Sequence, residues 1–379
     1  MSGIYIHIPF CRQRCHYCDF YSTTQLKRKP DLVEALILEL LQRKTWLENE
    51  PISTIYFGGG TPSLLTSDEI KEIIECIYEN YKIADIPEIT LEANPDDLSK
   101  KQIELIKSTP VNRLSIGIQS FQNNELEMMY RRHNTEQVFS SVKDCQDAGF
   151  TNISVDLIYG LPSSTLALWE NNLEQISKLN IQHLSAYHLT FEQNTVFDVK
   201  RKKGELFPVK EEESLKQFKA LINWAKNNDF IHYEISNFGK EGFFSQHNTS
   251  YWMQQKYLGI GPSAHSYNID SRCWNVSNLS AYINKINQNE TAYEIERLSD
   301  IDKHNEFLIT SLRTQWGINL SEFESQFGLE LKEELMKKAN LFIQQADLYV
   351  KENSLIVSDK GVFICDAILA ELMLINENE

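Results

Sequence analysis

Basic residues are scarce in this 379-residue sequence: 37 Lys and Arg stand against 53 Asp and Glu, a formal net charge of −16 at pH 7. Binding to a phosphate backbone rests on clustered cations that release counterions, so this balance excludes a general nucleic-acid binder, and no nucleic-acid partner is expected. No window of about 20 apolar residues occurs, which excludes a spanning helix. The opening Met1-Ser2-Gly3-Ile4-Tyr5-Ile6-His7-Ile8 has no cationic segment and no unbroken apolar stretch. A secretory signal is therefore not expected, and a cytoplasmic location is. Cysteine is sparse and odd in number, seven in all. That count does not resemble a disulfide framework, and a reducing compartment leaves the thiols free for metal or redox work. Long repeats and low-complexity tracts are absent too. What remains is 42% apolar and 11% aromatic residues, enough to bury a large core over two or three domains.

Short β-rich runs alternate with helical patterns from residue 3 to about residue 230. Strands are expected at Ile4 to Ile8, Thr54 to Phe57, Glu88 to Ala93, Arg113 to Ile118, Asn152 to Ile158 and His183 to Leu189. Periodic segments between them, such as Leu32 to Leu47, Asp68 to Tyr81 and Thr135 to Ala148, are long enough for crossover helices. Six such repeats imply a parallel sheet wrapped by helices, an α/β fold closing as a partial (β/α)6 barrel. The Asn-, Ser-, Tyr- and Gly-rich stretch from about 235 to 290 shows little periodicity and is expected to be irregular structure covering the sheet. From Asp300 the pattern is helical again. A hairpin follows at Leu348 to Lys351 and Ser354 to Val357, then a closing helix near Val362 to Ile375, which together predict a small winged-helix-like α+β domain. The expected organisation is thus 1–232, 233–299 and 300–379.

Three of the seven cysteines fall within eight residues: Cys11-Arg12-Gln13-Arg14-Cys15-His16-Tyr17-Cys18 follows directly on the first strand. That puts the thiols on a loop at the strand's carboxyl end, where barrel active sites lie. Three thiolates on one short loop can hold three irons of a [4Fe-4S] cube and leave the fourth open to a small molecule. Competing readings are a structural zinc site with His16 as fourth ligand, a haem-attachment site and a chance cluster. Structural zinc usually draws on two separated ligand pairs, and haem attachment uses C-x-x-C-H. Cys76, Cys145, Cys273 and Cys365 are isolated, with packing their default role. The run Lys200 to Lys203 reads as a solvated face.

The C-x3-C-x2-C spacing after a first strand resembles the signature of the radical S-adenosylmethionine (SAM) superfamily. Gly58-Gly59-Gly60-Thr61-Pro62 at the end of the second strand is similar to that family's SAM-binding glycine motif, since glycines let backbone approach a ligand that a Cβ would exclude. Later strand ends supply Glu92, Gln119, Arg131 and Asp156 in order. Together these resemble, over essentially the whole chain, the branch that holds oxygen-independent coproporphyrinogen III oxidase and the HemW family of haem chaperones. The resemblance implies that Cys11, Cys15 and Cys18 ligate a [4Fe-4S] cluster, with SAM on the exchangeable iron. It implies SAM contacts from Tyr5, Tyr17, Gly59, Gly60, Thr61, Glu92, Gln119, Arg131 and Asp156.

Within that branch, two departures point away from the oxidase. The oxidase carries one more cysteine two positions past the third ligand, where Cys18 is here followed by Asp19-Phe20. It also has a long segment before the first strand, whereas Tyr5 stands near the start. Gln246-His247-Asn248-Thr249-Ser250-Tyr251-Trp252 resembles the H-N-x-x-Y-W motif of the HemW family. Imidazole is a standard axial ligand of haem iron, so His247 is the expected haem ligand. His265 is a weaker candidate for lining the same cavity. The expected function is haem binding and transfer to acceptor apoproteins such as respiratory haem proteins, some of them at membranes, by a homodimer. Oxidative decarboxylation of coproporphyrinogen III is the enzymatic alternative, and radical modification of tRNA is disfavoured by the charge.

Overall fold

The computed structural model describes residues 2–375. Six strands, β1 (Ser2–Ile8), β2 (Ile52–Gly59), β3 (Ile83–Ala93), β4 (Arg113–Gln119), β5 (Ile153–Tyr159) and β6 (His183–His188), pair in parallel and in sequence order. Helices on the outer face link them, as crossover connections of this length require. Their starts are written locally: Thr66 and Glu69 form a reciprocal capping box on one helix, and Asn134 and Gln137 on another. The expected strands and crossover helices appear within a few residues of their predicted ends, apart from β3, which starts five residues early at Ile83, and the first crossover helix, which ends five residues early at Gln42.

Residues of β4 alternate cleanly although the whole strand is buried. Leu114, Ile116 and Ile118 pack outward into the apolar core beneath the helices. Arg113, Ser115, Gly117 and Gln119, every second residue, therefore face the concave side. A single large core runs under the helices from Ile4 to Ala292, and a second, made of residues 307–373, belongs to the C-terminal region.

The stretch expected to be irregular is ordered. Here β7 (Ile231–Glu234) and β8 (Asn237–Gly239) extend the sheet beyond β6, while β9 (Tyr257–Ile260), β10 (His265–Tyr267), β11 (Ser271–Asn275) and β12 (Tyr293–Arg297) extend it beyond β1. The pairing of β9 with β1 is parallel and the outer additions are antiparallel. Strands of three to five residues are too short to show periodicity, and pairing with the open edges of the parallel sheet supplies their order. The short helix Gln246–Trp252 packs against β1 and β2. In the C-terminal region a three-stranded sheet of β13 (Ile318–Asn319), β15 (Ser354–Val357) and β14 (Leu348–Lys351) packs with helices, and the hairpin has the expected bounds.

Candidate functional site

The loop after β1 is fixed by backbone bonds. Thr23 N–H donates to the Pro9 carbonyl at 2.7 Å, Cys11 N–H to Thr23 at 3.0 Å, and His16 N–H to Met129 at 3.1 Å. All three motif cysteines line one cavity of about 400 Å³ at the carboxyl ends of the parallel strands. Gly60 lets β2 close against this loop: a Cβ there would stand 2.8 Å from the Phe10 carbonyl oxygen. Gly59 has φ +108°, and a Cβ on it would meet the His7 ring at 2.6 Å. These glycines are therefore required by the approach of the cysteine loop as well as by any ligand.

Polar groups converge on the same space. Glu92 accepts from the Tyr56 hydroxyl at 2.8 Å and from Gly59 N–H at 3.1 Å, and burial raises its carboxyl to about 7. Asp156 accepts from Ser115 Oγ at 3.3 Å, and burial lifts it to about 6. Gln119 sits at φ +64° where β4 and β5 shift register, so the irregularity turns it at the strand end. Arg131 follows Tyr130, itself at φ +60°, and its Nη2 donates to the Gly117 carbonyl and to Asn94 Oδ1, each at 2.5 Å. Its Nη1 lies 3.5 Å from Cys15 Sγ. This guanidinium stands beside the thiols and is positioned by two neutral acceptors.

Tyr17, Gly59, Gly60, Thr61, Glu92, Gln119, Arg131 and Asp156 all line the cavity with the cysteines. Tyr5 does not. It lies inside the sheet's concave face, its hydroxyl 3.1 Å from His7 Nδ1 and its ring stacked on Tyr56, so it supports the site from below. Sequence reasoning missed Asn94, Ser115, Tyr187 and His188, which also face the cavity. The alternation in β4 was the available signal for Ser115; Tyr187 and His188 had none.

His247, the expected haem ligand, is enclosed. It is 1% exposed, with Nδ1 2.7 Å from Thr54 Oγ1 and Nε2 2.7 Å from the Tyr251 hydroxyl. Its backbone N–H donates to Glu88, and its ring stacks on Tyr56 at 4.9 Å. Both nitrogens are hydrogen-bonded to hydroxyls, and burial holds the ring neutral by lowering its pKa to about 3. In this structure the histidine expected as a haem ligand joins the 246–252 helix to β2 through Thr54. His265 is exposed on β10 and lines neither this cavity nor a space shared with His247.

The donor set fits an iron–sulfur cube better than one ion. Among the described residues no three His, Cys, Asp or Glu side chains converge on a common metal position, yet three unpaired thiols share one cavity wall. Thiolates that each bind a different iron have this arrangement, whereas a mononuclear site needs its donors gathered round one point. His16, the suggested fourth zinc ligand, stacks on Tyr130 at 4.7 Å and bonds the Met128 carbonyl through Nδ1. Burial pushes the Cys18 thiol up to about 11 and Cys11 above its usual value.

A parallel half-barrel with a three-cysteine loop over its carboxyl edge defines the radical SAM class. Residues 5–176 match the radical SAM superfamily and residues 298–364 the HemN C-terminal domain. The chain is 33% identical to heme chaperone HemW of Lactococcus lactis, over 100% of this chain and 98% of that one. It is 34% identical to heme chaperone HemW of Bacillus subtilis, over 87% and 88% respectively. Coproporphyrinogen III oxidase (HemN) of Escherichia coli shares the fold at TM-score 0.85, with 22% identity over 98% of this chain and 90% of that one. The chain belongs to the HemW family.

That family membership implies a [4Fe-4S] cluster and SAM as cofactors. Cys11, Cys15 and Cys18 would hold the cluster, which when bound and reduced would supply one electron to the sulfonium of SAM. Around that chemistry the chain itself provides a fixed cation, two carboxyls whose protonation is poised near neutrality, and walls that restrict water.

Proposed function

We propose that this protein is a haem chaperone that carries a [4Fe-4S] cluster and SAM and passes haem to acceptor haem proteins. The observation that carries the reading is likeness to two proteins named as haem chaperones, one over the full length and one over most of it, together with Phe20, 62% exposed, which lines the cavity past Cys18 where the oxidase has a further cysteine. In this reading Cys11, Cys15 and Cys18 ligate the cluster. Tyr17, Gly59, Gly60, Thr61, Glu92, Gln119, Arg131 and Asp156 hold SAM, with Tyr5 behind them.

The finer expectations travel with it: a cytoplasmic homodimer, acceptors that include membrane-associated respiratory proteins, and working units of 1–232, 233–299 and 300–379. Among the described residues no helix is long and apolar enough to cross a membrane. The deciding assay is anaerobic, on protein with its cluster rebuilt. Saturable haem uptake followed by transfer to an apoprotein is the expected result. Conversion of coproporphyrinogen to protoporphyrinogen with stoichiometric SAM consumption would overturn the reading in favour of the oxidase.

A further inference from the structure

His247 is 1% exposed and hydrogen-bonded through both nitrogens, so the search for an open haem site turns to the cavities. A second space of about 500 Å³ opens where the end of the 246–252 helix meets the C-terminal region. Trp252, Met253, Phe307 and Trp316 are among its lining residues. A third, of about 370 Å³, adjoins it: Trp252 and Thr310 belong to the walls of both. Tyr187 then belongs to the walls of the third space and of the cysteine-lined cavity. The three spaces thus form a series in which single side chains are the partitions.

Resting on the haem-chaperone reading, we infer that haem binds in the slot between the 246–252 helix and the C-terminal region, stacked by Trp252 and Trp316, with the Met253 thioether as an axial ligand of its iron. Indole faces suit a flat macrocycle, and sites of a few hundred Å³ walled by aromatics with a few polar groups are typical of bound cofactors. Met253 is 43% exposed and borders the slot, and its sulfur is a soft donor of the kind that ligates haem iron. Trp46, Trp169 and Trp224 each donate their indole N–H to a protein acceptor, which marks them as built into the framework. Trp252 stands at the last turn of the helix that His247 pins to β2, so the strut fixes the wall of the slot. The H-N-x-x-Y-W segment accordingly serves haem through its tryptophan, with histidine and tyrosine as its anchor. A single thioether also suits cargo that has to leave, because it binds ferric iron more weakly than imidazole.

Glu322, Lys351 and Glu352 also border the slot, so its lining is mixed in charge. The slot shares Trp252 and Thr310 with the third space, and that space shares Tyr187 with the cysteine cavity, so the third space lies between the slot and the thiols.

The test is a haem titration of the full chain with its cluster in place, comparing the parent with Met253→Leu, Met253→His and Trp252→Ala. Met253→Leu keeps volume and leaves the iron content and circular dichroism of the parent. It is expected to weaken haem binding about tenfold or more and to remove the charge-transfer band of a thioether–ferric iron bond. Met253→His is expected to retain haem with the spectrum of an imidazole ligand, a rescue that a packing role would not produce. Trp252→Ala lowers affinity without shifting the ligand band. Parent-like titrations and spectra for all three overturn the slot while leaving the chaperone reading in place. A parent that takes up no haem overturns that reading itself. A short hydrophobic peptide competing with none of the haem signal excludes the slot as a peptide groove.

Discussion

Replacing His247 with Ala separates a strut from a ligand. The ring's two nitrogens each satisfy a buried hydroxyl, Thr54 and Tyr251, both at 2.7 Å. Deleting it strands both, at about 1–3 kcal/mol each. It also empties a space beside the Tyr56 ring, 4.9 Å from the imidazole centroid. The summed cost is about 3–5 kcal/mol, a large part of a stability that for whole domains is about 5–15 kcal/mol. Urea unfolding followed by far-ultraviolet circular dichroism reads this as a clearly lowered midpoint. Haem bound by the fraction that is still folded in buffer keeps the parent's ligand bands. An unchanged midpoint with an altered haem spectrum would refute the reasoning and return His247 to the iron.

Other perturbations test the cysteine cavity. Cys15→Ala is expected to lose the brown absorbance with the iron and sulfide of the cluster; content equal to the parent's would count against the ligand assignment. Gly60→Ala puts a methyl 2.8 Å from the Phe10 carbonyl oxygen, so it should cost about 1–3 kcal/mol and cut iron incorporation by moving the loop, measured as iron per chain. Glu92 has a folded carboxyl raised to about 7 against an ordinary 4.5, so keeping it ionised costs the native state progressively from pH 4.5 to about 7. Glu92→Gln therefore gains stability relative to the parent across that window and holds the gain above it; a difference flat with pH sinks the assignment. His247, lowered from 6.5 to about 3, works in the opposite sense, losing the native state about tenfold per pH unit as pH falls from 6.5 toward 3. His247→Ala should flatten that acid limb.

Much of the site was written locally. The cysteine loop and the Gly58-Gly59-Gly60 turn are contiguous segments whose neighbours are set by strand order, so the strand–loop alternation was enough to bring them together. Arg131 and Asp156 come from elements far apart in sequence, and only the family resemblance joined them. Gln119 depends on a register shift between β4 and β5 that no residue pattern announces. Tyr5 and His247 lie off the cysteine-lined cavity for one physical reason. The concave face of the sheet is packed with polar residues, such as Arg113 beside Glu88 at 4.0 Å, that a sequence reader takes for ligand contacts. Period-two alternation fixes which face a residue occupies but not its depth, so a buried strut and a site residue look alike. The strands between 257 and 297 were missed because order there comes from the edge they join.

The claim beneath all of this is that one cavity holds a cube of four irons on three cysteines, with one iron left for SAM. Mössbauer spectra of the anaerobically reconstituted protein, recorded with and without SAM, test it most directly. The account predicts a [4Fe-4S] signal in which SAM alters a single iron and leaves the other three unchanged. Four irons indifferent to SAM, or a lone tetrahedral metal on the cysteines, would contradict it.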